Sequence, residues 1–364
     1  MKPSFTKSWT VILALLALTF SAVGVTPAHA ATFTVTNLND SGAGSLRQAV
    51  IDANAAAGAD TINFAPSLGT ATIALASMLP DITDDAGLTI DGDNRITLSG
   101  NDSVQVLYVG VAGILTLRNI IITHGSAIQG GGLNSDGTLT ITHSAFLNNS
   151  STGSGGGVFN GGTATITNSA FSNNSAAGDG GGVFNSGTLT IANSAFSNNS
   201  AHAGGGVTNN SGTATIFNST FSGNSVTYDG GGVFTWNGGA SPPTTTIRNT
   251  ILANSAAGYA DCYNYEYGTA VLNGGNNIIE MTSTCASIAT ITSDPMLGSL
   301  AGSPAYFPLN AGSPAIDAGD DSICAAAPVS NTSQNGLTRP QGMHCDIGSV
   351  EALRFLIYLP LVMR

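Results

Sequence analysis

Lysine is nearly missing from this chain: of 364 residues, only positions 2 and 7 carry it. Past residue 7, therefore, no Schiff base and no lysine nucleophile can form. The glycine triplets are not phosphate loops either, since no Gly-Lys-Ser or Gly-Lys-Thr follows them. Charge as a whole is scarce, at 8% of residues against 42% hydrophobic, which excludes a disordered chain. Proline is missing between Pro80 and Pro242, as expected where every strand is paired on both sides. Glycine is plentiful at 47 residues but follows no Gly-X-Y period, which excludes collagen.

Long apolar runs are also lacking. The run at 11–20 falls short of the roughly 20 residues of a spanning helix. It follows Lys2 and Lys7 and precedes Ala28-His29-Ala30, so residues 1–30 read as a secretory leader. The mature chain would then start near Ala31, with no transmembrane helix. It would carry seven Arg against 21 Asp and Glu, a formal charge of 7 − 21 = −14. Such a charge excludes nucleic acid as a partner, and the expected location is secreted or on the bacterial cell surface. Cysteine is absent before Cys262; Cys285, Cys324 and Cys345 follow. Three pairings are open to four cysteines in an exported chain. Sequential pairing, Cys262 with Cys285 and Cys324 with Cys345, closes the shortest loops and is the expected one, with free buried thiols the alternative.

What is there is repetition. A glycine triplet and an apolar residue recur at 130–133, 155–158, 180–183, 204–207 and 230–233, in steps of 25, 25, 24 and 26 residues. Each triplet alternates with a short strand, an Asn and a Phe-x-x-Asn-Ser unit. Near-constant spacing means one unit stacked on copies of itself. A coil of about 25 residues is too short for a βαβ crossover with its strands and shows no helical period. Three short strands joined by turns fit it, which predicts an all-β fold: a right-handed single-stranded parallel β-helix, a pectin-lyase-like solenoid. Period two then points Ile141, Ile166, Ile191, Ile216 and Ile247 inward as one stack. Phe146, Phe171, Phe196 and Phe221 form another, with Ile251 closing it. Asn168, Asn193 and Asn218, flanked by Asn119 and Asn249, are expected to hydrogen-bond as an amide ladder that His143 interrupts.

The pairing of GGGVFN with F-x-x-N resembles the repeats of chlamydial polymorphic membrane proteins, surface adhesins with β-helical passenger domains. Upstream, residues 32–36 alternate as a strand, and Ser45 with Gln48 forms a capping box for a helix to about Ala57. Leu46, Ala49, Val50 and Ala53 lie on one face of it, suited to covering the open end of a stack. This segment, TFTVTNLNDSGAGSLRQAV, resembles the CSLREA motif of bacterial exported proteins, with Gly44 and Gln48 in place of its Cys and Glu. Downstream, DPMLGSL, LNAGSPAIDAGDD and TRPQGMHCDIGSVE resemble the choice-of-anchor Q domain. Ser333-Gln-Asn-Gly336 replaces that family's Asp-x-Arg-Gly, which puts any salt bridge from it in doubt. The tail at 354–364 is open to two readings, a sorting tag and a closing strand. The expected organisation is a leader at 1–30, an N-terminal cap at 31–87, a β-helix at 88–292, a C-terminal module at 293–352 and a tail at 353–364.

Function should sit where the repeat departs from itself. The interval from Asn218 to Asn249 is six residues longer than the norm, and the excess around Trp236 adjoins Tyr228, Asp229 and Phe234. Tyr228, Asp229 and Trp236 are the candidate ligand contacts. Just beyond, Tyr259, Tyr263, Tyr265 and Tyr267 cluster around Cys262. Catalysis has thinner support. Asp179 and Asp229 precede triplets two coils apart, about 9.5 Å by strand spacing, at the far limit for an acid–base pair. His202 lies between them. Asp91 with Asp93, and Asp317 with Asp320 and Asp321, could offer oxygens to calcium, though loop capping is the simpler role; no metal or cofactor is expected. The resulting expectation is a secreted or surface β-helical structural or adhesin-like protein binding extracellular glycan, or another surface, without turnover. The alternative is a polysaccharide lyase or hydrolase of the same fold.

Overall fold

A computed structural model describes residues 29–238, 242–256, 258–265 and 270–353. The leader, apart from its last two residues, Tyr267 and the tail beyond Leu353 lie outside them. The chain winds as a right-handed parallel β-solenoid of about 10 turns, with strands in sheets of 18, 7 and 5.

The largest sheet is two columns of strands that share Leu88–Ser99 and Ile114–Thr123. In the regular coils the first column holds Thr138–Thr142, Thr163–Thr167, Thr188–Ala192, Thr213–Phe217 and Thr244–Arg248. The second holds Ala145–Leu147, Ala170–Ser172, Ala195–Ser197, Thr220–Ser222 and Ile251–Ala253. A coil therefore has four strand segments rather than the expected three. The stack also starts earlier than expected: Thr32–Val35 and Asp60–Phe64, within the supposed cap, pair in parallel and lead into Leu88–Ser99.

Register is one-to-one through the regular coils, so like residues lie over like. Ile141, Ile166, Ile191, Ile216 and Ile247 form one fully buried column. The rings of Phe146, Phe171, Phe196 and Phe221 stack at centroid separations of 4.9, 4.8 and 4.5 Å. Leu252, not Ile251, closes that column. Ile251 packs instead in a separate apolar cluster with Ile278, Ala315 and Ile347.

The amide ladder is displaced from its expected place. Asn168, Asn193 and Asn218 turn the corner between the two columns with φ of 50°, 47° and 42°, and their Oδ1 atoms are buried without a partner among the described residues. His143 takes the same conformation at φ 48° and so keeps the corner instead of interrupting it. The ladder belongs to Asn149, Asn174, Asn199 and Asn224, at the next corner. The Nδ2 groups of Asn149, Asn174 and Asn199 each donate to the Oδ1 above at 2.9 Å, and those of Asn174, Asn199 and Asn224 reach the carbonyls of Phe146, Phe171 and Phe196. A second inner ladder runs from Asn160 to Asn185 at 2.7 Å and on to Asn209 at 2.8 Å. Buried amides are tolerated here because nearly every donor finds an acceptor one coil away.

Two further segments complete the body. The helix Leu46–Ala55 buries Leu46, Ala49, Val50 and Ala53, and Ser45 accepts the Gln48 N–H at 3.2 Å. Only half of the capping box forms, because the Gln48 amide turns to Asp52. The chain after Ile291 returns along the outside of the solenoid and docks on the corner asparagines. Asn193 donates to the Thr332 carbonyl, Asn249 exchanges hydrogen bonds with the backbone of Asp320, and Ser349 N–H donates to Thr220. Cys262–Cys285 and Cys324–Cys345 are bonded as expected. Within the docked segment, Arg339 pairs with Glu351 at 3.1 Å in full burial, so an ion pair exists despite the altered motif. Burial lowers the Arg339 guanidinium to about 10.

Asn174→Ala should therefore cost roughly 2–4 kcal/mol, because it strands buried amide donors on Asn149. Asn168→Gly, at a positive-φ corner, should stay within about 1 kcal/mol of wild type. Urea unfolding of the two variants side by side checks the contrast.

Candidate binding cleft

The outer face of the seven-stranded sheet carries an in-register row: Tyr108, Asn134, Phe159, Phe184, Thr208, Phe234 and Tyr263. Phe159 stacks on Phe184 at 5.0 Å and Phe234 on Tyr263 at 5.9 Å. Thr208 leaves a gap between the two stacks, its hydroxyl donating to the Ala203 carbonyl at 3.0 Å.

The turn ahead of Thr208 belongs to the one 24-residue step among the triplets. Backbone hydrogen bonds align its neighbours: Gly155, Gly180 and Gly204 N–H groups donate to the carbonyls of Asp179, Ala203 and Asp229. Ala203 thus stands where the adjacent coils have Asp. His202 stands over Tyr228, their rings stacked at 5.5 Å. One deleted residue, one lost carboxylate and one lost ring coincide on a single coil.

The result is a cleft of about 280 Å³. Tyr228, Phe234, Trp236 and Tyr265 supply its rings, and Asp179, His202 and Ala203 complete its lining. Asp179 Oδ1 lies 3.1 Å from His202 Nδ1, the histidine half-exposed and the carboxylate largely covered. Tyr228 meets Phe234 edge-on at 6.0 Å and Tyr263 at 6.2 Å. Burial first, and then the nearby tyrosines and Asp229, raise the Tyr228 phenol, which keeps it a hydrogen-bond donor at neutral pH. The indole Nε1 of Trp236 is buried and finds no acceptor among the described residues.

Of the sequence candidates, Asp179, His202, Tyr228 and Trp236 are brought together. Asp229 is not among the lining residues: its Oδ1 accepts the N–H groups of Gly230 at 2.9 Å and Ala260 at 2.8 Å, fastening one coil to the next. Of that pair, the described lining therefore includes Asp179 and not Asp229. Tyr265 joins it from the tyrosine cluster; Tyr259 does not line it. The gap at Thr208 and the role of Ala203 were missed, although the 24-residue step announced them. The calcium candidates have other partners: Asp91 holds Arg118 and Asn119, Asp93 holds Arg95, Asp320 caps Asp321–Ala325, and Asp317 and Asp321 accept N–H groups of the 343–345 turn. No three His, Cys, Asp or Glu side chains converge among the described residues.

Residues 86–255 match the family model described as a right handed beta helix region. No curated protein matches the chain. Among solved structures, it is similar to Jun a 1, the major allergen from cedar pollen, at 15% identity and TM-score 0.46, covering 78% of this chain and 85% of that one. It is also similar to the pectate lyase Pel9A at 17% identity and TM-score 0.40, covering 89% and 96%. Among the described residues no helix is long and apolar enough to cross a membrane.

The floor beside Tyr263 is held by Asp261, whose carboxylate accepts the N–H groups of Ser255 and Met281. Burial raises this carboxyl above the ordinary aspartate range. The folded chain then holds the proton more tightly than the unfolded one, so the stability contributed is full below the unfolded value and is lost as pH rises through the raised one. Above about pH 4, wild-type stability should fall more steeply with pH than that of Asp261→Asn. Denaturant unfolding over a pH series gives the two slopes, which are independent of any constant offset from the lost acceptor.

Proposed function

We propose that this is a secreted or cell-surface β-helical protein of structural or adhesin-like type that binds extracellular glycan in the 179–265 cleft without turnover. The observation that carries this reading is the lining itself: four aromatic side chains and a single carboxylate. Rings give apolar surface for the faces of a sugar, and the carboxylate and phenol give it hydrogen-bond partners. Glycoside hydrolysis in its usual form needs two carboxylates flanking one bond, and the described lining holds one, Asp179, with Asp229 outside it and accepting backbone N–H groups through Oδ1. Export is supported by the leader pattern and by the two disulfides.

A second reading is favoured by one contact. Asp179 orients the His202 imidazole through Nδ1 at 3.1 Å, the arrangement of a carboxylate-positioned general base, as a lyase or hydrolase would require.

The two readings part on one panel. Wild type should bind polysaccharides by calorimetry or pull-down, Trp236→Ala should weaken binding about ten-fold, and no new reducing ends or unsaturated products should appear. Product release abolished by Asp179→Ala and His202→Ala would establish the enzyme instead.

A further inference from the structure

The cleft's chemistry narrows its ligand further, on the reading that it binds glycan. Four rings, Tyr228, Phe234, Trp236 and Tyr265, share one small volume with the Asp179 carboxylate. The rings are not parallel: Tyr228 stands at 89° to Phe234, and at 73° to Tyr263 behind it. Rings set at steep angles line the volume from different directions, and an aromatic face carries negative potential. Aromatic rings beside a carboxylate attract a positively charged group. Nothing nearby supplies that charge permanently. No arginine of the described chain lines the cleft, and lysine is missing beyond residue 7. His202 binds Asp179 through one oxygen, Oδ1; Oδ2 accepts no hydrogen bond from the described chain. The rest of the protein reinforces the sign, since the chain is acidic at −12 overall. A uronate-rich polysaccharide would be repelled by that field, whereas a cationic one would be drawn in.

We infer that the cleft takes an organic ammonium group carried on a glycan, the free amino group of an amino-sugar unit. The ammonium sits among the rings against Asp179, and the remainder of the sugar ring lies over Trp236. N-acetylation removes the charge and should remove the preference.

The test is calorimetric titration of the full chain with four probes: a glucosamine oligomer, its fully N-acetylated counterpart, an oligogalacturonate and phosphocholine. The glucosamine oligomer should bind at least about ten-fold more tightly than the acetylated one. Asp179→Asn and Trp236→Leu should each lower its affinity by about ten-fold, and added salt should weaken it. Equal or tighter binding of the acetylated or acidic oligomer would overturn the ammonium inference while leaving glycan binding in place. Phosphocholine bound and glucosamine oligomer inert would overturn the glycan as carrier. Failure of all four probes, with both variants folded as judged by unfolding midpoints, would overturn this inference; loss of binding to every other polysaccharide as well would take the binding reading down with it.

Discussion

Vertical register is the constraint from which the rest of this molecule follows. Each backbone group bonds to the coil above and below, so any residue must suit a copy of itself about 4.8 Å away. Apolar residues meet that demand by stacking, as the Phe146 to Phe221 column does. Asparagine meets it because its amide is donor at one end and acceptor at the other, which lets Asn149 to Asn224 run through the interior with buried polar groups bonded. Charge cannot meet it, since like charges would sit one above another. The scarcity of charge in the sequence is therefore a consequence of the architecture. The triplet glycines answer the same demand: a Cβ on Gly156 would collide with the carbonyl of Ser175 in the next coil.

A stack this regular cannot carry a localised concavity unless a coil breaks the pattern. Here the 24-residue step does so by subtraction. Shortening the turn to His202-Ala203 and replacing the ring at position 208 by Thr opens space that the neighbouring coils line with Phe234, Tyr228 and Trp236. The cleft is thus built from residues whose ordinary role is packing. The docked chain beyond Ile291 covers a different face, on the positive-φ corners, and leaves this cleft open.

Much of this was legible in the residues alone. Spacing gave the solenoid, period two gave the Ile and Phe columns, and loop length gave both disulfides. The asparagine ladder was misplaced because each coil holds asparagines of two kinds, one turning a corner and one facing inward, and period two does not extend through a corner. Ile251 was misassigned although the 31-residue step from Asn218 to Asn249 carries Phe221 onto Leu252. Corner asparagines acting as docking points for a segment more than 70 residues away leave no local signature. The cleft was half legible: the insertion around Trp236 drew attention to the right place, whereas a deletion of one residue is easy to pass over in a series of 25, 25, 24 and 26.

On the proposed reading, function resides where one coil is short. Inserting a glycine between Ala201 and His202 together with Ala203→Asp restores the Ser-Ala-x-x-Asp-Gly-Gly-Gly pattern of the preceding coil and should fill the cleft without disturbing the stack. Glycan affinity of this variant, measured by calorimetry beside its unfolding midpoint, is the most direct test. The account predicts a midpoint at or above that of wild type and loss of binding; a folded variant that binds glycan with undiminished affinity would contradict it.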